Sequence, residues 1–416
     1  METASPSGIL SYTDADRTVR EHAAKLRPHP NGINILPLLE TLGRILAAPV
    51  IADRDQPPFP RSTRDGFACR AADLSTSSPL TVIGRLRAGE EWLGPSVAQH
   101  QAVEIMTGAP VPPGADCVLM IEHSIVEGHR LRPGRQIPSG ENIVPAGAEA
   151  PLGTTLVPSG TRIGPKQIAA AAACGYPALP VYPRARVAIL ATGDELVPID
   201  TRPRPFQIRN SNSYSIAAQV IEHGGEPLLF PIIPDDLSEI EDAIWKALDS
   251  DLVILLGGVS MGKYDFVEQA LLNLHAEFFF TGVRIQPGKP VVFGRLPDRS
   301  STPRYFFGLP GNPVSTMVTF SLFAAPLLAA LSGQQDTGIG PRFAEARLAA
   351  AIPAKPGLRR FLPAYLRADA DRASVRLIPW QGSGDQTAAA QANCFIIVPE
   401  DSTDLPADTP VRVLLL

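Results

Sequence analysis

The feature that most constrains this fold is an alternation of short apolar runs with helical patterns between about Arg184 and Leu331. The apolar runs are ARVAILAT, EPLLFPIIP, DLVILLGG, PVVFGRL and RYFFGL, and the helical patterns are SNSYSIAAQVIEHGG, DDLSEIEDAIWKALDS and PVSTMVTFSLFAAPLLAAL. Strands that alternate with helices indicate parallel βαβ units, because a crossover helix returns the chain to the same end of the sheet. The pattern predicts a doubly wound α/β domain over residues 181–333.

The flanking sequence predicts two further domains of different character. Residues 12–180 begin with two helical patterns, Asp14–Leu26 and Ile35–Ala47, and continue with short apolar runs broken by proline-rich turns, which predicts an inserted β-rich lobe over about 51–150. Residues 338–416 return to short strands (VRLIPW, CFIIVPE, VRVLLL) and predict a small β-barrel, with a sandwich as the alternative. The chain is therefore expected to be an α/β multi-domain protein.

Composition excludes several classes of protein. The 416 residues are 44% hydrophobic with a net charge of −5, which speaks against both a disordered chain and a protein that coats nucleic acid. Four widely spaced cysteines suit a reducing cytosol, and METASPSGIL shows no signal-peptide pattern. The apolar stretch Val318–Leu331, about 14 residues, is short for a membrane span and predicts a buried helix. We expect a cytoplasmic protein that binds neither nucleic acid nor membrane.

Turns after the predicted central strands carry the candidate binding residues, because ligands of an open parallel sheet bind outside the carboxyl ends of its strands. These residues are Thr192, Gly193, Asp194 and Glu195 after ARVAIL; Gly257, Gly258, Ser260 and Asp265 after DLVILL; Lys289 in RIQPGKP; and Pro310, Gly311, Asn312 and Pro313 in GLPGNP. The GGVS turn matches neither GxGxxG nor a Walker loop, which disfavours dinucleotide and ATP hydrolase functions.

Lysine, small turns and carboxylates at one sheet edge predict an anionic ligand held by amides, with a divalent cation bridging it to the carboxylates. Each turn also has a purely structural interpretation. Asp194 or Glu195 would serve equally well as a helix cap, and GLPGNP as a breaker-rich turn. Convergence of all the turns on one edge favours the binding site.

The N-terminal half offers a second set of polar turns. RSTRDGFA contains Asp65, VEIMTGAPVPPGAD places Thr107 and Gly108 at a strand end, and SGENIVPAGAE ends at Glu149. Asp65 and Glu149 are candidates for the site, although each also suits simple turn stabilisation. The seven histidines show no metal-ligand spacing, and Cys69 and Cys117 are expected to be small core residues.

The segments RSTRDGFA, IMTGAPVPPGAD, SGENIVPAG, VAILATGDEL, GGVSMGKYDFV, RIQPGKPVVFG and GLPGNPVS, in this order, resemble the MoeA family of molybdopterin molybdenumtransferases, which includes the gephyrin E domain. The resemblance runs from about residue 14 to the C-terminus. It implies a magnesium-assisted transferase that inserts molybdate into adenylylated molybdopterin, releasing AMP and forming molybdenum cofactor. It also implies an elongated homodimer in which the N-terminal lobe of one subunit faces the α/β domain of the other.

The resemblance also assigns roles to residues. Catalytic roles fall on Asp65, Glu195, Asp265 and Asp235 (or its neighbour Asp236), with Glu195 and Asp265 as magnesium ligands. Roles in substrate binding fall on Thr107, Gly108, Glu149, Thr192, Gly193, Asp194, Gly257, Gly258, Ser260, Arg284, Lys289, Pro310, Gly311, Asn312, Pro313, Ser315 and Ser383. Which carboxylate binds the metal and which orients water stays open. Implied protein partners are the adenylyltransferase that supplies the substrate and the apoenzymes that accept the cofactor.

The chain departs from the family pattern in places that concern the oxyanion. Arg64 and Phe67 replace the usual Met and Tyr around Asp65, and Gln286 replaces a lysine before PGKP. Arg284, two residues earlier on the same face of an extended strand, is expected to restore that charge. Basic residues at Arg359 and Arg360 are displaced from the expected position of a family arginine, while Ser383 is kept in QGSGDQ.

Two alternatives belong to other classes. A related enzyme with the same α/β fold would adenylylate molybdopterin or act on pyridine nucleotides, but the DGF and MTGAP segments count against it. A non-catalytic binding module is disfavoured by the acidic set at Asp65, Glu195 and Asp265.

Overall fold

The structure is a computed structural model that describes residues 8–26, 32–75, 78–258, 266–297, 303–335, 340–354, 356–369 and 372–416. Its first elements are β1 (Ile9–Leu10), α1 (Tyr12–Ala23), β2 (Asn34–Pro37) and β3 (Val50–Ile51). Helix α1 begins at Ser11, whose hydroxyl accepts a hydrogen bond from the Asp14 amide. Ala15, Val19 and Ala23 follow at four-residue spacing and pack in the core of the central domain. Although α1 comes first in the chain, it therefore stabilises the α/β unit.

The predicted helix over Ile35–Ala47 is wrong. This stretch forms β2, a 3-10 turn at Leu38–Thr41 and irregular chain, and β2 pairs antiparallel with β13 (Ala178–Val181). Pro37 lacks the amide hydrogen that a helix interior needs, so the leucine spacing does not produce a helix. Ile35 and Leu39 are 76% and 79% exposed, which shows that the spacing does not mark a buried face in this chain.

The inserted lobe is built from strands and turns, as predicted. Its strands are β4 (Arg61–Ser62), β5 (Gly66–Cys69), β6 (Leu80–Leu86), β7 (Gln101–Ile105), β8 (Cys117–Met120), β9 (Ser124–Glu127), β10 (Arg130–Pro133) and β11 (Ile143–Val144). Six of them form one sheet in the order β8-β5-β7-β6-β10-β9, in which β6 and β7 run parallel and the other pairs antiparallel. The chain then returns through β12 (Thr155–Val157), α2 (Pro165–Ala173) and β13.

The central domain contains a six-stranded sheet between two layers of helices. Its elements are β14 (Arg186–Ala191), β15 (Leu196–Val197), β16 (Ile208–Arg209), α3 (Ser211–Glu222), β17 (Glu226–Leu229), α4 (Leu237–Ala247), β18 (Leu252–Leu256), α5 (Phe266–Asn273), β19 (Glu277–Phe280), β20 (Gly282–Val283), β21 (Ile285–Gln286), β22 (Val292–Leu296), β23 (Arg304–Leu309), α6 (Pro313–Thr319) and α7 (Ala325–Leu331). The sheet order is β17-β14-β18-β23-β22-β19.

Both faces of this sheet are buried, as the doubly wound prediction requires. Val187 and Ile189 of β14 pack with α1, α3, α6 and α7, while Ala188 and Leu190 pack with α4 and α5 on the other face. Strand β22 runs against the direction of the other five strands, since it pairs antiparallel with both β23 and the edge strand β19. Only seven residues separate β22 from β23 in sequence, too few for a crossover helix.

The apolar helix after GLPGNP has the bounds of the helical pattern PVSTMVTFSLFAAPLLAAL. It runs over Pro313–Leu331, with a π-helical turn at Phe320–Ala324 just before Pro326, whose ring disfavours the regular helical bond to residue 322. By length and composition alone this helix is able to cross a membrane, but 83% of its most apolar window is buried in the protein. It is the core helix that the sequence predicted.

The C-terminal region closes into a five-stranded barrel. Its elements are β24 (Phe343–Leu348), β25 (Arg359–Ala368), β26 (Ala373–Leu377), α8 (Gln386–Gln391), β27 (Cys394–Val398) and β28 (Pro410–Leu415). The strands follow the order β25-β26-β24-β28-β27, and β27 pairs back onto β25. Strand β21 of the central domain adds to β25, which joins the barrel to the segment that carries Lys289.

Candidate functional site

Three adjoining cavities lie at the carboxyl ends of β14, β18 and β23, where the sequence predicted a binding site. Their volumes are about 710, 430 and 330 Å³, and we call them the large, middle and small cavities. Asn312 lines all three, and Glu195 lines the large and middle ones. The turns predicted to converge do meet in one chain.

In the TGDEL turn, the Glu195 carboxylate lies against the backbone of Gly193. Gly193 has φ 147°, and a Cβ at this position would lie 2.4 Å from Glu195 Oε2, so a larger residue would displace that carboxylate. Asp194 Oδ1 accepts a hydrogen bond of 3.2 Å from the Asp235 amide. Neither acid therefore caps a helix here, and Glu195 is left facing the cavities.

The acids that open α4 have separate roles. Asp236 is the N-cap and accepts hydrogen bonds from the hydroxyl and amide of Ser238 and the amide of Glu239, which lower the pKa of its carboxyl. Asp235 lines the middle cavity beside Glu195. The geometry favours Asp235 over Asp236 as the site residue.

The double glycine after β18 lets two strand ends approach closely. Gly257 and Gly258 have φ 85° and 62°, and a Cβ at Gly257 would lie 3.0 Å from the Thr192 carbonyl oxygen. Thr192 is 4% exposed, and its Oγ1 has no hydrogen-bond partner among the described residues. Ser260 and Asp265, predicted to follow in this loop, lie outside the described residues.

Neighbouring elements hold the GLPGNP turn in place. Asn312 Nδ2 donates to Ser383 Oγ at 2.8 Å, and the Val314 amide donates to the Ser383 carbonyl at 3.0 Å. Asn212 Nδ2 donates to the Gly311 carbonyl at 2.7 Å from the start of α3. The Val314 amide at the start of α6 is therefore already paired with Ser383.

The small cavity has the character of an oxyanion site. Lys289 is the charged residue among its described lining, with Gln286, Pro310, Asn312, Ser315 and Ser383 among the other walls. Lys289 makes no ion pair with any described residue. Its ammonium group is therefore available to neutralise an anion in this cavity.

The arginines expected near this cavity are placed differently. Arg284 shares the exposed face of its segment with Gln286, as predicted, but it does not line the small cavity. The pKa of Glu400 is lowered, against the opposing effect of desolvation, by hydrogen bonds and by the charges of Arg359 and Arg284. The positive charge of Arg284 thus acts on the carboxyls of both Glu400 and Asp14, and whether it replaces the missing lysine stays a prediction.

Arg359 and Arg360 also have structural neighbours. Arg359 lies 4.6 Å from the Tyr12 ring centroid and donates to both carboxylate oxygens of Glu400, at 2.9 and 3.3 Å. Arg360 is the register partner of Gln286 across β25 and β21. The first arginine fixes α1 against the barrel, and the second lies beside the position where the family lysine is absent.

The polar residues of the lobe form separate clusters in the single chain. Asp65 accepts hydrogen bonds from the amide and hydroxyl of Thr107, at 2.7 and 2.9 Å, which lower the pKa of its carboxyl. Gly108, at φ 84°, donates to the Ser62 carbonyl, and Glu149 pairs with Arg61. The three cavities are lined by none of these four residues, Asp65, Thr107, Gly108 and Glu149. The ion pair of Glu149 with Arg61 fits the alternative interpretation, in which Glu149 stabilises a turn.

Part of the large cavity is lined by residues that the motifs did not predict. Its unpredicted polar walls are Gln207, Arg209, Asn210, Ser211, Asn212 and Gln386. The signal available was the run NSNS at the start of a helix that follows a strand and turn, since Asn210 is the N-cap of α3. Among the described residues, no group of three or more His, Cys, Asp or Glu side chains is arranged to hold a metal.

Comparison with known proteins finds matches over three consecutive parts of the chain. Family models match at residues 10–175 (MoeA N-terminal region, domains I and II), 188–330 (probable molybdopterin binding domain) and 345–416 (MoeA C-terminal region, domain IV). The molybdopterin molybdenumtransferase of Bacillus subtilis is 35% identical over 91% of this chain and 89% of its own length. That of Synechococcus elongatus is 33% identical over 97% and 99%. A crystal structure of the molybdopterin biosynthesis MoeA protein of Pyrococcus horikoshii superposes with a TM-score of 0.77 at 28% identity, covering 98% of this chain and all of that one.

Proposed function

Because the chain belongs to the MoeA family of molybdopterin molybdenumtransferases, and is thus a transferase that inserts molybdenum in cofactor biosynthesis, we propose that it acts on adenylylated molybdopterin and molybdate with magnesium and releases AMP. The observation that carries this proposal is the order of charges along the cavities. Lys289 lines the small cavity, and Glu195 and Asp235 line the middle one next to it. The small cavity would therefore hold an oxyanion, and the middle cavity beside it would hold a phosphate with its bound cation.

The small cavity suits molybdate. The Lys289 ammonium supplies the opposite charge, and the Ser315 hydroxyl is a hydrogen-bond donor for a tetrahedral oxyanion. Because the protein carries a net charge of −5, such local cations must do the binding.

The middle cavity suits the phosphoanhydride with its metal. Glu195, Asp235 and the unpartnered hydroxyl of Thr192 offer the oxygen ligands that magnesium prefers, and Asp265 is proposed to complete the set. When bound, magnesium neutralises phosphate charge and favours departure of the AMP phosphate. A carboxylate not engaged with the metal would orient the water that cleaves the phosphoanhydride bond and releases AMP.

We further propose a homodimer whose lobes complete each other's sites. Asp65 and Thr107 lie apart from the cavities of their own chain, and two-fold pairing would let Asp65 of the partner subunit act there. The four unpaired cysteines support a reducing cytoplasm as the location, where an adenylyltransferase would supply the substrate and apoenzymes would accept the product.

Product analysis tests the proposed reaction. Purified protein is incubated with adenylylated molybdopterin, and AMP and protein-bound molybdenum are quantified with and without molybdate and magnesium. We expect both products only when both ions are present. AMP release at the same rate with and without molybdate, or the absence of molybdenum incorporation, would contradict the proposal.

A further inference from the structure

The large cavity has walls suited to a flat ring. Leu196, Ile199, Ile208 and Leu256 supply apolar surface, while Asn212 and Gln386 supply side-chain amides. Asn212 Nδ2 donates to Gly311, and Gln386 Nε2 donates to Ser211 Oγ at 2.6 Å. No described residue donates to the carbonyl oxygens of these two amides, so they remain acceptors for amino groups of a ligand.

A stiff turn at the rim of this cavity presents an exposed aromatic side chain. The segment between β15 and β16 provides Ile199, Pro203 and Gln207 to the cavity wall. At its end, the Gln207 amide donates to the Arg204 carbonyl at 3.0 Å, and Gln207 Oε1 accepts from the Arg204 amide at 3.2 Å. Pro205 presets the backbone of this turn, and Phe206 next to it is 94% exposed.

The base of the segment is fixed to the predicted site. The Ile208 amide donates to the Glu195 carbonyl and the Asn210 amide to the Val197 carbonyl, both at 2.9 Å. The backbone at residue 206 is thus fixed next to Gln207, which lines the cavity, while the exposed phenyl ring itself lies outside the cavity wall. An exposed phenyl ring there gains by covering a ligand, since stacking removes apolar surface from water and adds an aromatic interaction.

We propose that Phe206 stacks on an amino-substituted heteroaromatic ring bound in the large cavity and sets the affinity for that ring. This role rests on the proposed function, whose substrate carries two such rings, the pterin and the adenine. Both offer exocyclic amino groups to the acceptors of Asn212 and Gln386. The residue acts in recognition and takes no part in bond breaking.

Calorimetric titration with AMP and, separately, with 6-hydroxymethylpterin tests this role without turnover. We expect Phe206→Ala to raise the Kd of one of these ligands about five- to tenfold, which also identifies the ring that it covers. Phe206→Tyr keeps the stacking face and should stay within about twofold of the wild type. Ile221→Ala is the matched control, because Ile221 is an exposed apolar residue (57%) near the far end of α3. It should change neither Kd.

Steady-state insertion adds a second measurement. Phe206→Ala should raise KM for adenylylated molybdopterin and leave kcat nearly unchanged, because the interaction is the same in the ground and transition states. Unchanged Kd values in Phe206→Ala, or binding of neither ring by the wild type, would overturn the inference. Unchanged Kd values together with a changed sedimentation coefficient of Phe206→Ala would also overturn it, and would assign Phe206 to a contact between subunits. Failure of the wild type to release AMP would instead refute the proposed function, since the titrations do not depend on it.

Discussion

At the residue scale, the site depends on glycines that let acidic and polar side chains meet. Gly193 leaves room for the Glu195 carboxylate, and Gly257 brings β18 within reach of Thr192. The motifs predicted these positions because ligands of a parallel sheet bind at the carboxyl ends of its strands, where these glycines lie. They did not separate Asp235 from Asp236, since that distinction depends on which acid caps α4. Side-chain direction is set by tertiary contacts that a linear motif does not contain.

Glu195→Gln should lower molybdenum insertion about 100-fold or more while the fold is kept, because the amide retains the shape of the side chain but removes the charge. Insertion rates and thermal unfolding midpoints measure the two effects. Glu226→Gln is the matched control, as Glu226 is exposed at the opposite end of the sheet, at the start of β17. Near-normal insertion by Glu195→Gln would remove this residue from the active set.

Lys289→Ala should raise the molybdate KM about tenfold or more, because the small cavity loses the charged group among its described walls. Arg284→Ala should leave this KM within about twofold, since its charge acts near Glu400. Molybdate titration of both variants decides between them. A rise in KM for Arg284→Ala would instead confirm the sequence prediction that it replaces the missing lysine.

At the scale of elements, strand and helix alternation predicted the central domain well, and of the two helical patterns before it, Asp14–Leu26 is confirmed by α1 while Ile35–Ala47 is wrong. The apolar runs of β14 and β18 are buried on both faces, which leaves a clear pattern. The leucines around residue 40 showed helical spacing but lie in a short strand and a 3-10 turn. The attachment of α1 to the central domain was also not predictable, because its partners are more than 150 residues away in sequence.

Acidification should weaken the attachment of α1. His22 stacks on Phe279 at 3.9 Å between ring centroids and contacts the Tyr305 hydroxyl at 3.2 Å. Desolvation, followed by the charges of Lys25 and Arg295, lowers the pKa of His22, against the opposing charges of Glu277 and Glu21. Because the folded state disfavours the protonated ring, this contribution is present above the ordinary His pKa of 6.5 and is lost as pH falls below it.

Thermal unfolding between pH 7.5 and 5.5 measures this loss. The unfolding midpoint of the wild type should fall with pH more steeply than that of His22→Gln, which keeps a polar side chain without a titrating ring. Parallel curves for the two proteins would show that His22 does not carry the dependence. His223, whose pKa is also lowered mainly by burial, is present in both proteins and cancels in the comparison.

At the scale of the whole molecule, one chain contains two groups of family motifs that do not meet. The central turns converge on the three cavities, while Asp65 and Thr107 of the lobe lie elsewhere. The motifs identified both groups, but spacing along one chain does not specify which subunit supplies each. Pairing of two subunits is the arrangement that we propose to unite them.

A complementation experiment tests the shared site. Asp65→Asn and Glu195→Gln should each inactivate their homodimers, whereas a purified heterodimer of the two, isolated with different tags, has one intact site of two. It should regain about half of the wild-type insertion rate. An inactive heterodimer would place both residues in a site within one chain, and a monomeric wild type would refute the arrangement.

The segment Gly282–Gln286 links the central domain to the barrel. It pairs with β1 on one side and with β25 of the barrel on the other, and the turn that follows it carries Lys289. The barrel is thus coupled to the small cavity by backbone hydrogen bonds. A rotation of the barrel relative to the central sheet would therefore also displace Lys289, so that motion between the domains and anion binding would be coupled.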